Sequence, residues 1–208
     1  MTASQKLIDD FEQLRECLIN VRRDYNTYNA LYCDENRPLL TAIAPTFFTD
    51  VAEILERDWI LQVVKLMDPA ITKVCGKDRE NLTVQLINQQ LEDESLFTDE
   101  IQSRAKAILD FGELLKPAGH RILAHRDREC HFEGIVMGET TNKQLQEFVQ
   151  NIQDYSDLVG IQIGVGPLDF SSSGCKGDVY DLLQYLRKSQ HAQPIIPPDL
   201  AHKAAQGR

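Results

Sequence analysis

Two imidazoles, two guanidiniums and a carboxylate fall within eight residues: His120, Arg121, His125, Arg126 and Asp127, in the string His-Arg-Ile-Leu-Ala-His-Arg-Asp. Histidine is the side chain whose ordinary pKa lies nearest working pH, so this grouping suits proton transfer or the holding of phosphate. If the string is helical, Arg121 and His125 stand four apart and share a face. An arginine there can hold an RNA phosphate or a pentacoordinate transition state. The histidine can take the proton of a ribose 2′-hydroxyl or give one to the leaving 5′-oxygen. Two copies facing each other across a dimer supply both acid and base, and Asp127 is placed to orient an imidazole. His120 diverges from His125 by about 140° at 3.6 residues per turn, so the two do not converge on one metal. The candidate catalytic residues are therefore His125, Arg121, His120 and Asp127. Arg121 and Arg126, with Lys116 just upstream, are the candidate phosphate-binding residues. The same residues also suit a plainer arrangement. In it Arg121 and Arg126 lie on a solvated face, paired to Asp127 or Glu129, and His125 is hydrogen-bonded inside a bundle.

The elements that must position this string read as helices. Leu7, Phe11, Leu14, Leu18, Val21, Tyr25 and Tyr28 recur at steps of four and three, giving one long helix with an apolar stripe. The stripe suits packing within its own domain; a coiled-coil seam between subunits is the alternative. Asp34 to Pro38 break the pattern. A second helical stretch runs from about Leu39 to Met67 and is divided by Pro45, with Val51, Leu55, Trp59, Val63 and Leu66 inward; Asp68-Pro69 stops it. Gly76-Lys77-Asp78 reads as a turn, and Asn81 or Thr83 as the cap of a shorter helix to about Leu91. Thr98, followed by Asp99 and Glu100, opens a helix with Ile101, Ala105, Ile108, Leu109 and Leu115 inside, and Pro117 and Gly119 interrupt it. Thr141 caps a helix carrying Leu145, Phe148, Ile152, Tyr155 and Val159. Residues 160–177 read as loop, with Ile161-Gln162-Ile163 as a short extended segment. Asp178 opens a last helix with Val179, Leu182, Leu183 and Leu186. The expectation is an all-α bundle of five to six helices over residues 1–190, with 191–208 as a loose, proline-containing tail.

The bulk properties narrow the function. The chain has 208 residues and a net charge of −10. That average argues against a dedicated duplex-DNA binder, whose affinity comes largely from neutralising phosphates, but it leaves room for a local basic patch. No signal-peptide core and no apolar run near the ~20 residues of a membrane helix is present, so the expected location is cytoplasmic with no membrane partner. Five cysteines at irregular spacing, none in a CxxC, suit reduced thiols and no thiolate zinc site. His125 with Cys130-His131 matches no standard metal spacing, so neither metal nor cofactor is expected. Gly160, Gly164 and Gly166 lack the lysine and the strand–turn–helix setting of a phosphate loop, and Ser171 to Ser173 lack a nucleophile elbow.

Leu115-Lys116-Pro117 followed by Leu123-Ala124-His125-Arg126-Asp127 resembles the HEPN superfamily, most nearly its AbiU-type abortive-infection group. Trp59 to Pro69, Asn81 to Ile87 and Gly177 to Leu183 are similar to further segments of that group, so the resemblance spans about residues 5 to 188. It implies a HEPN-like helical bundle, homodimeric, with the Arg/His motifs of two subunits lining a cleft. It further implies a prokaryotic defence or toxin–antitoxin setting, metal-independent ribonuclease activity in many members, and binding of nucleotides or of a partner such as an antitoxin in others. The chain departs from the motif at one point. The family arginine falls four to six residues before the histidine, on Ala118, Gly119 or His120, and none of these is arginine. Either Arg121 and His120 take over that role, or the protein is a non-catalytic nucleotide- or partner-binding module.

Overall fold

The computed structural model describes residues 2–118, 140–171 and 174–190. Among them are seven helices and one two-stranded sheet. The all-α reading holds at that level, with more helices than the five or six expected. α1 (Gln5–Tyr32) begins where the Ser4 hydroxyl accepts the Leu7 amide. Leu7, Phe11, Leu14, Leu18 and Val21 are fully buried inside this one chain, so the stripe is used within the domain. α2 (Arg37–Ile43) and α3 (Pro45–Leu66) divide at Pro45, which opens α3 at a position where no amide donor is needed.

β1 (Ile71–Val74) and β2 (Lys77–Glu80) form an antiparallel hairpin where the sequence suggested only a turn. Cys75 and Gly76, at φ 53° and 75°, form the two-residue connection whose twist suits paired strands. Asn81 ties the hairpin's root: its amide donates to Ala70 O at 2.8 Å and its side chain to Pro69 O at 2.7 Å. Thr83, the second of the two candidate caps, caps α4 (Val84–Asp93).

α5 (Asp99–Pro117) is capped by Thr98 and carries Asp99 and Glu100 in its first turn. α6 (Asn142–Ile163) begins with a full capping box between Thr141 and Gln144. Its last turn includes Ile161 to Ile163, so the extended segment expected there is helical and the loop starts at Gly164 instead of Gly160. The reason is local. Gly160 O accepts the amides of Gly164, Val165 and Gly166, and Gly164 at φ 88° ends the helix in the left-handed conformation. A Cβ on Gly160 would stand 2.2 Å from Gly166 O. These glycines therefore fold the chain back tightly and hold no phosphate loop. α7 (Val179–Gln190) begins where the Asp178 carboxylate accepts the amides of Tyr180 and Asp181. Leu182 is exposed and Leu183 is buried.

The main core joins α1, the C-terminal half of α3, α4, α5 and α6. A smaller apolar cluster seats α7 on α2, the end of α1 and the start of α3. Buried Asn36 stiffens that corner, accepting from Arg187 at 2.7 Å and donating to Ala30 O at 2.6 Å. No described helix is long and apolar enough to cross a membrane.

Candidate functional site

α5 and α6 run antiparallel along each other. Arg104 donates to Asn151 at 3.0 Å and pairs with Asp154, while nearer the end of α5 and the start of α6 Phe111 stacks on Phe148 at 4.3 Å. The end of α5 and the start of α6 therefore emerge at the same end of the bundle. Residues 119–139 join them. His120, Arg121, His125, Arg126 and Asp127 lie in that stretch, outside the described residues. Lys116 is described: it sits in the last turn of α5 and donates to Glu113 at 2.6 Å.

The described part of this end holds a cavity of about 250 Å³ between α1, α3, α5 and α6. Leu115 and Leu145 contribute one wall, and Thr140 and Asn142 stand where the chain re-enters. Tyr25, Tyr28 and Trp59 supply the aromatic wall. Trp59 is fixed by its indole N–H, which donates to Val21 O at 3.1 Å, and by an edge contact with Phe148 at 5.9 Å between ring centres. Two carboxylates reach the cavity. Asp24 accepts the Gln62 side-chain amide at 2.7 Å, and Glu56 accepts the Tyr28 hydroxyl. Burial, and then the bond to Glu56, push the Tyr28 phenol up to about 12.

Chemically, this cavity is aromatic and anionic. A phosphate in it is repelled by Asp24 and Glu56. Among the described residues no group of three His, Cys, Asp or Glu side chains is arranged to hold a metal ion.

Sequence reading placed Tyr25 and Tyr28 in the apolar stripe and missed the bond from Tyr28 to Glu56. Asp24, Glu56 and Asn142 are far apart in the chain and meet only through the packing of α1, α3 and α6. The one available signal was that the stripe of α1 changes from Leu and Val to Tyr over its last two turns, as amphipathic rings suit a half-open site. Comparison with protein-family models, with characterised proteins and with solved structures finds no match for this chain.

Proposed function

We propose that this chain is a HEPN-like helical protein of a prokaryotic defence or toxin–antitoxin type, a cytoplasmic homodimer that cleaves RNA without a metal. The observation that supports the reading is the antiparallel α5–α6 pair. Its adjoining ends, at Pro117 and Asn142, bracket in sequence the stretch that bears Arg121 and His125, and among the described residues the cavity at that end is lined by no lysine or arginine. In this reading Arg121, in place of the family arginine, neutralises the scissile phosphate. His125 of one subunit takes the 2′-hydroxyl proton and its two-fold mate protonates the leaving oxygen. Asp127 and His120 orient the imidazole, and Arg126 and Lys116 hold flanking phosphates.

The test is incubation of the purified protein with single-stranded RNA in EDTA, beside His125→Ala and Arg121→Ala. Cleavage by the wild type with a loss of about 100-fold or more in each variant is the expected result. Equal RNA survival in wild type and variants rejects the enzyme.

One observation favours a second reading, a module that binds a nucleotide or partner without cutting. Gly119 brings no charge where the family motif allows arginine, and the neighbouring cavity offers Tyr25 and Trp59 as a stacking wall. Binding of ATP or GMP then stabilises the fold by mass action, by about 2.7 kcal/mol at 100 times the Kd. An unchanged melting temperature at millimolar nucleotide removes the nucleotide form of this reading.

A further inference from the structure

The β1–β2 hairpin stands out from the bundle with almost nothing covering it. Every residue from Lys73 to Glu80 is exposed, Ile71 is 48% exposed and Val74 41%. An isolated two-stranded hairpin is marginal in water, because each strand leaves one edge and both faces unburied. The register sorts its side chains. Residues directly opposite share a face and successive residues alternate, so Thr72, Val74, Lys77 and Arg79 form one face. The other carries Ile71, Lys73, Asp78 and Glu80, and Glu80 is held by Lys6 at 3.2 Å. The first face thus has two cations and no anion. Among the described residues neither Lys77 nor Arg79 makes an ion pair.

The complementary surface begins at the hairpin's root. Ala70 forms part of the wall of an open groove of about 1090 Å³ between α4 and α5. Glu92, Asp93, Asp99, Asp110 and Glu113 line it against a single lysine, Lys106, which is itself bonded to Asp110. Half-buried Phe97 and Leu109 give it an apolar floor. A cationic hairpin face with an apolar residue beside its turn therefore lies at the edge of an anionic groove with an apolar floor.

We propose that this face is an interface between two copies of the chain, each placing the Val74–Lys77–Arg79 face of its hairpin in the α4–α5 groove of the other. Because the arm and the groove adjoin, one two-fold axis at their shared edge makes both contacts at once, and the assembly closes at a dimer. Val74 meets Phe97 and Leu109, while Lys77 and Arg79 meet the carboxylate rim. The opposite signs of the two surfaces speed encounter and fix the register. This arrangement uses no residue of the charged string and stands independently of the ribonuclease reading.

Light scattering on the full chain at tens of micromolar tests it. A species of twice the 23.7 kDa chain mass is expected at low salt. It dissociates in about 1 M salt, where the Debye length falls to about 3 Å. Lys77→Glu/Arg79→Glu and, separately, Glu92→Lys/Asp93→Lys/Asp110→Lys each weaken dimerisation about tenfold or more, with unchanged helical circular dichroism. Mixing the two variants restores the dimer, since each reversed hairpin then faces a reversed groove and each native hairpin a native one. A monomeric wild type, a dimer that neither reversal weakens, or a mixture that stays monomeric overturns the proposal. Loss of single-stranded RNA binding in the hairpin variant with the dimer intact also overturns it, and assigns the cationic face to RNA.

Discussion

Tyr28 shows how a single side chain can report on the cavity. Its hydroxyl donates to Glu56 in a half-buried setting, and its pKa rises from 10 to about 12. The neutral phenol is favoured in the folded state, so its contribution to stability is complete below pH 10 and lost as pH rises toward 12. Tyr28→Phe is expected to remove one phenol titrating near pH 12 from the ultraviolet titration. It should also flatten the fall in unfolding free energy over that window, by about 1 kcal/mol once solvent screening is allowed for. A lost phenol that titrated near pH 10 instead would show that the pair does not form. Such pairings were poorly legible in the sequence. Tyr28 was readable as a stripe residue, but nothing in the spacing of residues 28 and 56 says that α1 and α3 bring them together. Arg15 is a second instance. It sits within the long amphipathic pattern and is buried all the same, its guanidinium donating to Gly166 O at 3.2 Å and lying over Phe11. Only the fold-back after α6 provides that carbonyl.

At the scale of elements, α5 and α3 meet where Gly112 faces Met67. A Cβ on Gly112 would fall 2.1 Å from Met67 Cγ, and Met67 is 1% exposed. Gly112→Ala is expected to destabilise the protein by about 1–3 kcal/mol through overpacking, despite the better helix propensity of alanine. Combined with Met67→Ala it should cost clearly less than the sum of the two single changes, measured by denaturant unfolding. Additive costs would mean that the two residues do not touch. The helices themselves were legible because burial follows their 3.6-residue period, as in Leu7 to Val21. Their starts were legible because caps are local chemistry, as at Thr98 and Thr141. The hairpin was not. Lys77-Asp78-Arg79-Glu80 has no apolar alternation, since neither face is buried, and its turn uses Cys75 at positive φ where Asn or Gly is the usual signal. Ile161-Gln162-Ile163 was misread because three alternating residues also fit the end of a helix, and only the Gly164 stop separates the two.

For the whole molecule, charge is the organising variable. The net −10 is unevenly spread, with carboxylates gathered in the α4–α5 groove and, on the hairpin, cations that make no ion pair among the described residues. An assembly built on that division must loosen with salt, which is the behaviour the light-scattering series reads. The candidate site, by contrast, was legible only as a string of residue types, and residues 120–127 lie outside the described residues. The pairing of α5 with α6 has its own consequence. Two neighbouring helices that finish together need only a short span between them, and closing a longer one costs little: each doubling of loop length adds about 0.6 kcal/mol. The bundle can thus accept chain of differing length between residues 118 and 140. That length and the packing of the helices are then free to change separately.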